Sequence, residues 1–231
     1  MITGGLLQSL VPSLDAGRAA SIAAGLQSAA AAGGITTPER IAPFVAQLAH
    51  ESQGFLYSTE LWGPTAAQLG YEGRRDLGNT QTGDGYRYRG RGWIMTTGRY
   101  NYRVFGQKIG VNLEQNPDRA ADPDVAGLLA VAFWNDRHLN DAADQGNFKY
   151  ITYRVNGGYN GYEDRLRYYG LAQSYLTQHP EDDVSKLFFK DMGGKNVEWD
   201  GQPTVYGGIK ITRFPDGSIQ LERVPVVVPP K

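Results

Sequence analysis

The chain contains no cysteine. Disulfides, thiolate metal sites and cysteine nucleophiles are thereby excluded together, and the composition fits folding in a reducing compartment. Histidine is nearly as scarce: His50, His138 and His179 stand far apart. The "HES" at 50–52 is not the HExxH of a zinc peptidase, because position 54 is glycine. No metal is expected, and His50 is read as making a structural hydrogen bond. No GxSxG occurs, which sets aside the nucleophile turn of serine hydrolases. An excess of one charge is missing too. Lys and Arg total 23 against 24 Asp and Glu, a formal net charge of −1, so nothing global draws the chain to nucleic acid or an acidic membrane. No apolar run approaches the roughly 18 residues of a membrane span. The start, "MITGGLLQSLVPSLDAGR", has no basic region ahead of its apolar part and does not read as a secretory signal.

What is present is a 231-residue chain with 41% apolar and 20% charged residues, long enough for one large domain or a domain with an appendage. The 30 glycines and 14 tyrosines cluster at 70–106 and 157–170. Glycine lets a backbone turn tightly or approach a ligand closely, and tyrosine offers a flat apolar face with a hydroxyl. Together they suit a cleft for sugars or flat polar ligands.

The spacing predicts a helix over 14–32, stopped by Gly33 and Gly34. A second begins at "TTPER" and runs to about Ser52, with a threonine cap and Pro38 in the first turn. A short helix follows from about Pro64, then a long irregular loop from Arg74 to Gly92, a length that marks function in a compact domain. Helical spacing resumes in "TTGRYNYRVFGQKIG", "DPDVAGLLAVAFWNDRHL" (Asp122 as cap, Pro123 first), "NFKYITYRVNGG" and "YEDRLRYYGLAQSYLTQ". After Pro180 the texture changes, and "YGGIKITRFPDGSIQLERVPVVVPPK" alternates around a "PDG" turn as a β-hairpin does. The expectation is a mainly α protein: a helical domain over 1–180 and a small β-containing tail over 181–231. A lone hairpin is marginal in water, so the tail is expected to pack on the domain or on a partner.

Residues 48–55 read "LAHESQGF". At 100° per residue Glu51 falls on the stripe of Phe44 and Leu48. Burial there would keep the carboxylic acid protonated, as a general acid requires; the alternative is that the helix ends first and Glu51 is solvated. Glu60, in "STELWG", and Glu72, in "YEGRRD", are candidates for a second carboxylate across a groove.

"AHESQGF", "TELWGPTAAQ", "YEGRRDLGNTQTGDGYRYRGRGWIMTTGRYNY" and "RVNGGYNG", in this order, resemble family 19 glycoside hydrolases, above all the chitinase-like endolysins of bacteriophages. The resemblance covers roughly residues 40–176 and implies a lysozyme-like helical fold with a catalytic cleft. It makes Glu51 the general acid, Glu60 the general base with Glu72 in reserve, and Thr97 a holder of the attacking water. Tyr100, Asn101 and Asn156 match sugar-contacting positions. It further implies inversion, with carboxyl groups on the order of 6.5–9.5 Å apart, and no cofactor. Met95 departs from the pattern: the family usually reads "GxIQxTG", and a thioether replaces the amide that contacts a sugar. The implied substrate is peptidoglycan, or alternatively chitin, cut at β-1,4 bonds between N-acetylated amino sugars. Absent cysteine and an absent signal tilt toward the phage type, since secreted plant chitinases are typically disulfide-bonded. Such a protein is made in the host cytoplasm and acts at the bacterial wall after release. Neither nucleic acid nor membrane insertion is expected. A virion or tail-associated lysin, with the C-terminal tail binding a phage structural partner, is a further reading.

Three features leave alternatives open. Trp62 and Trp93 are either sugar platforms or core residues, whereas Trp134, mid-helix among Leu128, Leu129 and Val131, reads as core. "YRYRGRGW" interleaves Arg87, Arg89 and Arg91 with aromatics as single-strand binders do. Beside a carboxylate pair, these arginines are expected instead to fix the carboxylates by charge-assisted hydrogen bonds.

Overall fold

The computed structural model describes residues 1–179 throughout, and beyond them the backbone of strands at 187–190, 196–199, 204–206, 209–213 and 219–223. The first helix, α1 (Gly4–Leu10), precedes everything the spacing predicted. Thr3 caps it by accepting the Leu6 amide, and Leu6, Leu7 and Leu10 are buried. Next come α2 (Ala16–Ala32), capped by Asp15, and α3 (Pro38–Glu51), with Thr37 at the cap position and Pro38 first. Thr37 makes no side-chain cap bond, and neither does Asp122 ahead of the helix that starts at Pro123. Pro at the first position, whose fixed φ is already helical and whose missing N–H would have had no partner within the helix, starts both helices.

The short helix expected from about Pro64 is α4 (Ala66–Leu69). The segment expected to be a long loop from Arg74 to Gly92 is more ordered than its composition suggests, holding a 3-10 turn at Arg75–Leu77 and α5 (Asp84–Arg87). It closes in a small hairpin, where Arg91 bridges Thr96 on one side and Thr59 on the other. The remaining helices are α6 (Arg99–Lys108), α7 (Pro123–Asp136), α8 (Leu139–Asp144), α9 (Phe148–Asn156) and α10 (Tyr162–Gln178).

Every residue of α3 from Ile41 to Ala49 is buried. It is therefore the central helix rather than an amphipathic surface one, with α10 packed along it. Phe44 meets Trp134 of α7 edge to face at 5.3 Å, which places Trp134 in the core as expected. On the other side α2 crosses α7 so closely that a Cβ on Gly127 would stand 2.9 Å from the Gly25 carbonyl. Helix α7 joins two apolar clusters. The larger gathers residues of α1, α2, α3, α7, α8, α9 and α10, and the smaller holds Tyr88, Tyr102, Phe105, Leu113, Ala120, Val125 and Leu129. Phe133 packs against both.

In the C-terminal segment β1 (Leu187–Lys190) pairs antiparallel with β2 (Asn196–Trp199). Strands β3 (Thr204–Tyr206), β4 (Ile209–Arg213) and β5 (Ile219–Arg223) form a second antiparallel sheet in that order. Arg213 faces Ile219 across the β4–β5 pair. The turn assigned to Pro215–Gly217 and the domain boundary at 180 lie outside the described residues, as does the tail's expected packing. Among the described residues no helix is long and apolar enough to cross a membrane.

Candidate active site

Glu51 is the last residue of α3, and the chain is forced to turn directly after it. Gln53, Gly54 and Phe55 have φ of 51°, 73° and 59°, three left-handed residues in succession. Two are not glycine, a conformation that costs on the order of 1–3 kcal/mol each and persists only where surroundings enforce it. Here the Ser52 hydroxyl donates to the Leu48 carbonyl at 2.7 Å and accepts the Phe55 amide at 2.9 Å. Arg18 clamps the Phe55 and Leu56 carbonyls from α2 at 2.9 and 3.1 Å.

The stripe argument expects hydrocarbon around Glu51. Instead, Arg165 of α10, 1% exposed, donates Nη2 to Glu51 Oε1 at 2.5 Å. The same guanidinium donates to Gln47 Oε1 and to the Asn160 carbonyl, and Gln47 Nε2 donates to the Thr152 hydroxyl at 2.9 Å. A wholly buried helix carries its own polar wire, Gln47 to Glu51, satisfied by α9 and α10. Greasy surroundings are therefore not what governs Glu51; a buried cation is. His50 points elsewhere, with Nδ1 2.7 Å from Asp164 Oδ2. Any Cβ at Gly161 would collide with its ring, so the structural reading of His50 stands.

Glu60 approaches from a different element. Its backbone amide donates to the Gly90 carbonyl at 2.8 Å, and the Gly90 amide returns to Glu60 Oε2 at 3.0 Å. Gln68, held in a capping box with Thr65, donates to Oε1 at 3.0 Å, and the Tyr71 hydroxyl reaches the same oxygen at 3.4 Å. Burial first, then the charge of Glu60, pushes the Tyr71 phenol above its ordinary pKa, so it remains a neutral donor. The arginines of "YRYRGRGW" hold neither carboxylate; Arg165 grips Glu51, and the Gly90 amide, Gln68 and Tyr71 serve Glu60. Arg91 is spent on Asp118 and the Tyr102 hydroxyl.

Glu51, Glu60, Thr97 and Met95 line one cavity of about 260 Å³, with Gln53, Tyr57 and Tyr71. A neighbouring cavity of about 430 Å³ is lined by Glu51, Tyr71, Met95, Thr97, Asn101 and Asn156, and by Phe105 and Phe133. The cleft thus runs along the seam between the two apolar clusters. The Thr97 hydroxyl donates to the Met95 carbonyl at 2.9 Å, which leaves its oxygen to accept. Asn101 Nδ2 donates to the Thr97 carbonyl at 2.8 Å, which fixes the amide at the wall of the second cavity.

Three expected site residues fall elsewhere. Trp93 is 2% exposed and stands edge to face against Phe55 at 5.8 Å; it is core, because the hairpin turns it inward under the left-handed turn. Tyr100 is 50% exposed and lines neither cavity, since the first turn of α6 aims it outward. Glu72 accepts the Gly83 and Gly85 amides at 2.7 and 2.8 Å, serving the start of α5 rather than the cleft. Conversely Gln47, Arg165, Gln68 and Tyr71 were not singled out in the sequence. Only Gln68, three residues after Thr65, carried a local signal, the capping box. Among the described residues no cluster of three or more His, Asp or Glu could hold a metal ion.

The profile of chitinase class I, glycoside hydrolase family 19, matches residues 15–145. A glycosyl hydrolase family 19 domain-containing protein of Haemophilus influenzae is 36% identical over 99 residues, 43% of this chain and 48% of that one. An endochitinase of Arabidopsis thaliana is 37% identical over 142 residues, 61% of this chain and 47% of its own. The chain thus spans about half the length of these curated relatives. Chitinase C from Streptomyces griseus shares the fold with a TM-score of 0.61 at 20% identity, covering 76% of this chain and 92% of that one. With half of its length under the family profile and a cleft built around Glu51 and Glu60, the chain belongs to glycoside hydrolase family 19.

Proposed function

We propose that this domain hydrolyses β-1,4 bonds between N-acetylated amino sugars by inversion, and that its substrate is bacterial peptidoglycan. The observation that carries the reading is a single cavity lined by two glutamates from separate elements with a hydroxyl beside them. Arg165 takes Glu51 Oε1 and leaves Oε2 to protonate the departing glycosidic oxygen. Every partner of the Glu60 carboxylate is a donor, which orients it to take a proton from water. Thr97 offers that water a lone pair. Attack on the anomeric carbon breaks the C–O bond, Glu51 supplies the leaving group's proton, and Glu60 accepts the water's proton.

Absent cysteine and the endolysin-like motifs support the peptidoglycan and phage setting, in which the domain is made in the host cytoplasm and acts on the wall after release. The tail would then engage a phage partner, and deletion of 190–231 with retained soluble lysis is the result expected. Chitin is the second reading, supported by the similarity to endochitinases. Turbidity loss of wall preparations set beside sugar release from chitin oligosaccharides separates the two. Mass analysis of wall fragments checks the chemistry, because a 1,6-anhydro end would lack the added water and remove the hydrolytic mechanism.

A further inference from the structure

Beyond the cleft lies an open cavity of about 1260 Å³ that shares no lining residue with either chamber beside Glu51. Five arginines line it against three acids: Arg87, Arg89, Arg91, Arg99 and Arg119, with Asp84, Glu114 and Asp118. The acids are already engaged. Asp84 and Glu114 pair with Arg99, and Asp118 pairs with Arg91. Arg119 leans on Asp122. Arg87 and Arg89 are left without a carboxylate partner among the described residues. Arg87 donates only to the Tyr88 hydroxyl and the Gln115 carbonyl. Arg89 donates Nη1 to the Tyr86 carbonyl, and its buried Nε–H meets no acceptor at all. The two guanidinium charges are thus met only by neutral oxygens, and an anion entering the cavity is the group that would balance them.

The cavity is also joined to the cleft. The Arg89 guanidinium lies over the Tyr86 ring at 4.2 Å from its centroid. Tyr86, half exposed, meets Trp62 edge to face at 5.1 Å, and Trp62 meets Tyr71 at 6.4 Å. Tyr71 lines both catalytic chambers and touches Glu60. A row of aromatic surfaces thus leads from the general base to two uncommitted guanidinium groups. Flat apolar faces suit the non-polar faces of sugar rings, and guanidinium suits carboxylate.

We propose that the Arg87–Arg89 cavity is a second, non-catalytic subsite that binds the carboxylates of an acidic glycan threaded from the cleft across Tyr71, Trp62 and Tyr86. It rests on the reading of peptidoglycan as substrate, whose stem peptides carry free carboxylates, and it gives that reading a physical cause: chitin is neutral and would gain nothing there.

The test uses the full chain carrying Glu51→Gln, so that binding is read without turnover. Calorimetric titration compares three probes: soluble wall-glycan fragments with free stem-peptide carboxylates, the same fragments with those carboxylates amidated, and a single-stranded DNA oligonucleotide as competitor. The free-acid fragments are expected to bind on the order of tenfold tighter than the amidated ones at low salt, the size of one charge-assisted contact. Adding Arg87→Gln and Arg89→Gln should reduce that preference to about twofold or less, whereas the Arg87→Lys, Arg89→Lys pair should retain most of it. Thermal melting reports whether each variant folds. Equal affinity for free-acid and amidated fragments in the Glu51→Gln protein overturns the proposal without any arginine variant. So does a preference that survives the Gln pair, or an oligonucleotide that binds more tightly than the free-acid fragments. Failure of the hydrolytic reading shows separately, as wild-type protein that releases no reducing ends from walls while the binding preference stands.

Discussion

Glu51 and Glu60 line the same cavity, yet the chain secures them in opposite ways. Glu51 hangs from the buried central helix and is gripped by Arg165, itself 1% exposed and anchored to Gln47 and Asn160. Glu60 sits on a strand-like segment whose only regular structure is an isolated bridge, and it is gripped by a backbone amide and two side chains from short elements. One wall is part of the hydrophobic core. The other is a lattice of hydrogen bonds over the smaller apolar cluster. In the proposed mechanism a proton donor must hold its line to a bond while a base must accommodate a water, and the core-anchored wall would carry the first and the hydrogen-bonded wall the second.

The largest effect tests both walls at once. Glu51→Gln and Glu60→Gln are each expected to lower kcat by about 10²–10⁴ with little change in melting temperature, because each replaces a proton-transfer group by an isostere. Near-wild-type turnover in either variant removes that residue from its role. Next, Arg165→Ala should separate the walls energetically. It leaves the Gln47 amide oxygen unpartnered in the core and Glu51 without its cation at the cleft wall, where 19% exposure softens the roughly 3–5 kcal/mol that breaking a fully buried ion pair costs. Urea unfolding reads the loss, and an undiminished midpoint would show that α10 does not brace the acid. On the lighter wall Gln68→Ala removes a Glu60 contact and half of a capping box together, for about 1–2 kcal/mol. Tyr71→Phe deletes only a 3.4 Å hydrogen bond, so its effect on kcat should be the smaller.

The difference between the walls also explains what the sequence discloses. The helices announce themselves by spacing, Pro38 and Pro123 start two of them, and Glu51 and Glu60 are found through motifs that sit close in the chain. The grip on Glu51 is invisible locally, since Arg165 lies 114 residues away on another helix. The stripe that suggested a greasy setting misleads for a physical reason. A helix buried on all sides has no solvent face, so its polar residues mark internal partners rather than exposure. Helix α1 carries two poor helix formers, Gly4 and Gly5, in its first turn, and Thr3 with the spacing of Leu6, Leu7 and Leu10 is the signal it does give. Trp93 shows the limit in the irregular region, where a hairpin's register decides which way a ring points and no periodicity reports it.

The smallest effect compares the walls by acid titration. On the loop wall, burial pushes the Asp84 carboxyl upward, but the Arg99 guanidinium and the Gln81 and Thr80 amides outweigh it and hold Asp84 below the usual carboxylate range. On the helix wall, burial also opposes ionisation of Asp164, and hydrogen bonds from Arg167 and His50 prevail. Both folded values lie below the unfolded ones, so both groups stabilise the fold fully above the ordinary carboxylate pKa and lose that stabilisation as pH falls through the depressed values. Asp84 has a side chain only 2% exposed against 44% for Asp164, so solvent screens its pairing far less. Melting temperature followed from neutral to acid pH should therefore flatten more in Asp84→Asn than in Asp164→Asn. The reverse order would mean that the loop wall is not held by its buried ion pair, and that the hairpin beside Glu60 owes its order to the core beneath it instead.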